Sequence, residues 1–173
     1  FPYTTLFRSG IPRVLNMYED FPFWFTFFNQ LGCEVVLSDY TTKDQYNKAI
    51  DTIPSDTACY PAKAVHGHIR DLAQAQIDLI WYPCIQHGPK EFSRDNNYHC
   101  PMVISYPELI RNNMQDVMGK TPFYAPFLPL ADKKSLVPAL VKALKDLPFS
   151  KSEISNAVET AWAEQEKCKA DYR

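Results

Sequence analysis

Short apolar runs alternate with helical patterns along this chain, and that alternation constrains the fold more than any other feature. Glu34-Val-Val-Leu-Ser38 and Ile77-Asp-Leu-Ile-Trp-Tyr82 are nearly unbroken in apolar character, as strands covered on both faces are. Two further strands are predicted at Arg13–Met17 and Met102–Tyr106, the last ended by Pro107. Helical stretches lie between them. One follows Glu19-Asp20, has an early proline at Pro22, and stops near Leu31 before Gly32, the pattern of a helix with defined start and end. Another runs from Lys43 to about Ile50 behind Thr41-Thr42. A third, Pro61 to Gln74, places Val65, Ile69 and Leu72 on one face. Ile85 to His99 reads as a polar loop, Glu108 to Asn113 as the start of a helix, and residues 119–131 as a proline-rich connection. Two helices close the chain. Asp132 caps the first, which ends near Leu147; Ser150 and Glu153 form a capping box for the second, whose apolar face is Ile154, Val158, Ala161 and Trp162. This order predicts an α/β fold: a Rossmann-like, mostly parallel sheet of about four strands with flanking helices, right-handed crossovers and a C-terminal helical extension.

Residues 10–131 are expected to form the cysteine-bearing α/β domain and residues 132–173 a truncated helical segment. Phe1 to Ser9, Phe-Pro-Tyr-Thr-Thr-Leu-Phe-Arg-Ser, corresponds to the in-frame translation of a common sequencing adapter. It is read as a scar and set aside, with a native N-terminal strand as the alternative. The chain stops inside a helical pattern at Asp171-Tyr172-Arg173, so the parent protein is expected to be longer.

Composition narrows the function. The chain is 46% apolar, enough for a core, and its net charge of −2 comes with no basic stripe, so nucleic acid has no electrostatic footing. No apolar run approaches the ~18 residues of a membrane span; Phe21 to Phe28 is aromatic but short and reads as a buried helix start. Five cysteines is an odd count in a chain that is not loop-rich, which favours reduced thiols in a cytoplasmic protein over a secreted disulfide framework.

Open α/β sheets bind ligands beyond the carboxyl ends of their strands. That edge selects residues 16–20, Ser38 with Asp39, Pro83 with Cys84, and Tyr106 to Glu108. Cys59 sits just before Pro61, at or next to a helix N-cap. Free N–H groups and the positive helix end there favour a thiolate, the metal-binding form. The helix before the third strand begins on the edge where that strand ends, so Cys59 and Cys84 can meet although distant in sequence. Cys100 is harder to place. If it opens a parallel fourth strand it lies on the opposite edge, about 15–20 Å away; it joins the others only if that strand starts late or the preceding loop pulls it across.

Three thiolates with an open fourth position suit a 4Fe-4S cluster, and four would close it. Zinc is the competitor, although Cys-x2-Cys pairs are absent; His87 or His99 would complete such a set. The plain alternative is that the cysteines are small buried hydrophobes. Cys33 fits that role, and Cys168, among charges, fits a surface or inter-domain thiol. Of His66 and His68, two apart on one helix, one is expected packed and one exposed, a poor metal pair. Glu19, Asp20, Asp39 and Asp56 read as caps or surface charges before acids or bases. Neither phosphate-binding glycine motif nor serine nucleophile elbow occurs.

Several phrases carry a family resemblance: Ile11-Pro-Arg-Val-Leu-Asn-Met-Tyr-Glu-Asp-Phe-Pro-Phe-Trp24, Asp56-Thr-Ala-Cys-Tyr-Pro-Ala-Lys63, Val65-His-Gly-His68, Tyr82-Pro-Cys84, Asn97-Tyr-His-Cys-Pro-Met-Val103 and Ser105-Tyr-Pro-Glu108. The chain resembles the cysteine-bearing domain of acyl-CoA dehydratase activase-related proteins of anaerobic bacteria, the 2-hydroxyglutaryl-CoA dehydratase activase family, over nearly all of residues 10–173. The resemblance implies that Cys59, Cys84 and Cys100 ligate an iron–sulfur cluster, of 4Fe-4S or double-cubane type. It implies an ATP-driven electron path in which ATP binds only domains absent from this chain. The partners implied are those activase domains and an acyl-CoA dehydratase or a small reducible substrate; a homodimer is open. The chain by itself is then part of a larger redox enzyme or activase and is not expected to be catalytic. A structural or docking domain, with zinc or without metal, is the second expectation.

Overall fold

Pro12 ends the first strand rather than preceding it. In the computed structural model, which describes residues 6–88 and 97–171, β1 is Arg8–Ile11, and the Arg13–Met17 stretch read as a strand is a loop with a 3-10 turn at Leu15–Met17. Arg8 and Ser9, set aside on sequence grounds, are therefore half of a strand. The reason is visible in the pairing. β1 lies between β2 (Glu34–Leu37) and β3 (Leu79–Trp81), parallel to both. Gly10 suits that crowded place: a Cβ there would stand 2.6 Å from Ile77 Cδ1.

The main sheet has the order β2-β1-β3-β5, with β5 at Phe123–Tyr124, and every pairing is parallel. Pro83 interrupts the third strand without ending its course. Pairing resumes between β4 (Cys84–Ile85) and β6 (Phe127–Leu128). The hydrogen bonds Ile80 N to Pro122 O (2.8 Å), Tyr82 N to Tyr124 O (2.9 Å) and Cys84 N to Pro126 O (2.9 Å) form one ladder across the break. Residues 119–131, read as a bare connection, thus supply the fourth strand of the sheet.

The predicted strand at Met102–Tyr106 is instead the first part of α4 (Pro101–Asn113). Val103 and Ile104 favour a strand locally, but Pro101 fits a first helical position and Tyr106 and Ile110, four apart, are buried on one face. Pro107 lies inside that helix. The other helices are α1 (Phe21–Gln30), α2 (Lys43–Lys48), α3 (Tyr60–Gln74), α5 (Gln115–Met118), α6 (Lys133–Ala143) and α7 (Lys151–Asp171). The Ser150 capping box forms in both directions: Ser150 N donates to Glu153 Oε2 (2.8 Å) and Glu153 N to Ser150 Oγ (3.2 Å).

Aromatic rings fill the centre. Trp24, Phe27 and Phe28 of α1 are fully buried, and the Trp24 and Phe28 rings stand edge-on to Trp81 of β3 at 5.2 and 5.4 Å. Ile154, Ala157, Val158 and Ala161 of α7 belong to the same core, so the C-terminal helix is a layer of this domain. Among the described residues no helix is long and apolar enough to cross a membrane.

Candidate functional site

Parallel strands need return connections, so α3 and α4, each leading back toward a strand start, begin at the edge where strands end. Cys59 is the N-cap of α3 and Cys100 the N-cap of α4; both have extended-type backbone (φ −63°, ψ 151° and φ −53°, ψ 136°), and neither side chain caps its helix. Both are exposed. The difficulty with Cys100 disappears because no strand begins there. Tyr106 to Glu108, expected at the end of that strand, lie inside α4 instead.

A side-chain contact fixes the relative level of the two helices. His66 Nε2 lies 3.2 Å from the Tyr106 hydroxyl, with ring centroids 5.7 Å apart. His66 is about two turns into α3 and Tyr106 a little less into α4, roughly 10 Å along each axis. Each cysteine-capped helix start thus lies about two turns from this shared contact.

Cys84 follows Pro83 in β4, beside Glu108 and Arg111 of α4, and is in a different state. It is 1% exposed, and its Sγ donates to the Ala125 carbonyl at 3.8 Å. Burial pushes its thiol up to about 12, helped by the Glu108 carboxylate and opposed by the Glu108 backbone N–H and Arg111. Among the described residues no three of His, Cys, Asp and Glu stand together as a metal-holding group. The three thiols are not gathered into a ligand set: Cys59 and Cys100 are exposed and Cys84 is sealed. The donor chemistry suits a thiophilic metal or cluster; the arrangement is not a finished site for one.

The histidines depart from expectation together: both are fully buried. Thr52 Oγ1 donates to the Ala49 carbonyl (2.7 Å) and so accepts from His66 Nδ1 (2.8 Å). This assigns the His66 proton to Nδ1 and leaves Nε2 to accept from Tyr106. His68 lies between Ser38 Oγ (2.7 Å to Nδ1) and Thr41 Oγ1 (2.8 Å to Nε2), and the Arg13 N–H also donates to Ser38 Oγ (2.9 Å). Burial lowers both imidazoles to about 4. With both ring nitrogens engaged, neither histidine is a free ligand. His87 pairs across the loop with Tyr98, ring centroids 4.3 Å apart, and burial lowers His99. Residues 89–96 of that loop lie outside the described residues.

Two tyrosines stand at the site: Tyr106, which the strand-edge rule selects, and Tyr82, which it does not. Burial raises Tyr106 to about 12, with Cys59 among the charges acting on it. Tyr82 is fully buried, its hydroxyl finds no hydrogen-bond partner among the described residues, and it is raised well above the ordinary range by burial and by Cys84 and Tyr106. A tyrosine at a strand's end, two residues before a rim cysteine, was the available signal. Asp20 is the one candidate carboxylate that stands out: burial raises it to about 6, although Asn16 hydrogen-bonds it at 3.0 Å. Cys33 is in the core, its thiol raised by burial to about 11, and Cys168 is half-buried on α7.

No curated protein and no solved structure matches the chain. A family model does, described as the CoA enzyme activase uncharacterised domain, over residues 8–173. That span holds the whole sheet, both cysteine-capped helices and α7, so the chain belongs to this CoA enzyme activase domain family.

Proposed function

We propose that this domain is the thiol module of a larger ATP-driven redox protein, with Cys59, Cys84 and Cys100 as ligands of an iron–sulfur cluster of 4Fe-4S or double-cubane type. Membership of a CoA enzyme activase family supports the setting. The observation that carries the reading is the placement of two exposed thiols at helix N-caps, with a third in the short strand after Pro83. Such a cluster, when bound, supplies one-electron chemistry. The chain's own contribution is local. The open N–H groups of two helix starts favour negative sulfur, and the Tyr82 hydroxyl is a buried donor two residues from Cys84. Cys84 must leave its sealed position and lose its proton to serve as a ligand; coordination deprotonates thiols outright. An acyl-CoA dehydratase is the proposed partner, and a reducing, cytoplasmic compartment follows from the need for free thiols.

Anaerobic reconstitution of the parent protein, with iron and sulfide analysis and EPR, tests this. A Cys59→Ser/Cys84→Ser protein that keeps a full cluster would defeat the assignment. The second reading is a structural or docking domain with zinc or no metal, favoured by the sealed state of Cys84. Metal analysis after aerobic purification separates them: zinc persists, whereas an exposed cluster bleaches.

A further inference from the structure

Asp20 is the N-cap of α1 by position, yet it makes no capping hydrogen bond. Aspartate is among the best N-caps because its carboxylate accepts from a free N–H at the second or third helical residue, and its charge suits the positive helix end. Here the carboxylate turns back to Asn16 Nδ2. The Phe23 N–H that it leaves donates to Gln165 Oε1 at 3.0 Å, while Gln165 Nε2 donates to the Glu19 carbonyl at 2.8 Å. A side chain from α7, near the other end of the chain, caps α1 in place of the neighbour. The loop between β1 and α1 is strained in this arrangement. Leu15 has φ 43°, a left-handed conformation uncommon outside glycine, and Asn16 Oδ1 is buried with no partner among the described residues.

We propose that the start of α1 is a two-position switch, in which Gln165 and the Asp20 carboxylate compete for the Phe23 N–H and the docking of the last turns of α7 follows whichever holds it. Protonated, Asp20 suits its half-buried place beside Asn16. Ionised, it is better held by the open N–H groups and the helix dipole. The groups facing it are Asn16 and Glu19 in its own loop and Lys169 on α7; Glu19 disfavours the ionised carboxylate, and Asn16 and Lys169 favour it. When Asp20 takes the cap, Gln165 loses its acceptor role, and the Trp162 ring, edge-on to Phe23 at 6.3 Å, loosens with it. The loop lies beyond the carboxyl end of β1, on the rim that carries the cysteine-capped helices. Anything that draws Asp20 to the cap is thereby read on α7 as release of Gln165. The device stands independently of any metal.

Hydrogen exchange of the 173-residue chain, corrected for intrinsic rates, tests this at about pH 5 and about pH 7.5, either side of the Asp20 midpoint. Protection over residues 162–171 is expected to fall about fivefold at the higher pH, the size of one N-cap, while the first turn of α1 stays protected. Asp20→Ala should abolish the pH dependence. Gln165→Leu should leave the end of α7 unprotected at both pH values with α1 still capped. The switch is overturned if the wild-type exchange over residues 162–171 ignores pH, or if the pH dependence survives Asp20→Ala. It is also overturned if Gln165→Leu opens α1 as far as the Asp20→Ala/Gln165→Leu double does, because Asp20 is then no substitute cap.

Discussion

At the scale of single residues, the buried histidines set how this domain meets acid. In the folded chain His66 and His68 are held neutral, with midpoints lowered to about 4; unfolded, each takes up a proton near pH 6.5. The unfolded state therefore binds more protons between those values, and stability is lost as pH falls from 6.5 through 4. At about 1.4 kcal/mol per unit, each histidine accounts for roughly 3 kcal/mol. Asp20 works in the opposite sense, since its raised midpoint of about 6 makes its contribution fall as pH rises from 3.8 to 6. Two histidines outweigh one aspartate, so the urea midpoint should drop between pH 6.5 and 4.5. The His66→Gln/His68→Gln protein, which cannot titrate there, should show a flat or reversed slope; an unchanged slope would refute the assignment. That both histidines are buried was hidden from sequence reasoning. Residues two apart on a helix do not share a face, and only the arrival of Thr52 and Tyr106 on one side and Ser38 and Thr41 on the other provides partners for both.

At the scale of elements, close approach decides what each helix and strand tolerates. Gly67 of α3 lies against α2: a Cβ would stand 2.8 Å from both Gln45 Cγ and the Gln45 carbonyl oxygen. Alanine is a better helix former than glycine by about 1 kcal/mol, but a backbone oxygen cannot step aside as a side chain can, and overpacking of this kind costs roughly 1–3 kcal/mol. Gly67→Ala should therefore lower the melting temperature despite its propensity, and a rise would show that α2 moves freely. The first strand offers a sharper case. The carbonyls of Phe7 and Arg8 accept from Glu34 N (2.8 Å) and Asp78 N (2.9 Å), joining β1 to both neighbours. Removing residues 1–9 should destabilise the whole domain in chemical denaturation; an unchanged midpoint would make the strand's first half dispensable. Other elements were legible beforehand. The aromatic helix of Phe21 to Gln30 and the Ser150 box announced themselves through local chemistry, whereas the start of α4 did not, because β-branched Val103 and Ile104 outvoted Pro101 when read one window at a time.

For the molecule as a whole, the order of strands decides which chemistry can meet. Strand, helix and strand in alternation and apolar runs covered on both faces were sufficient to determine a parallel α/β sheet, and Pro61 to mark Cys59 as a helix N-cap, because those signals depend on residues within a turn or two of each other. Which segment became the fourth strand depended on something else. Phe123–Tyr124 and Phe127–Leu128 are too short to show a period, and they are strands only because Ile80, Tyr82 and Cys84 present N–H groups to their carbonyl side. The same long-range pairing freed Met102–Tyr106 to be a helix, made Cys100 its N-cap and sealed Cys84 against Ala125. Burial of a thiol, the partners of a histidine and the choice of cap for α1 are properties of packing between segments remote in the chain. Local sequence holds no record of them, because the groups that impose them arrive only when the sheet closes.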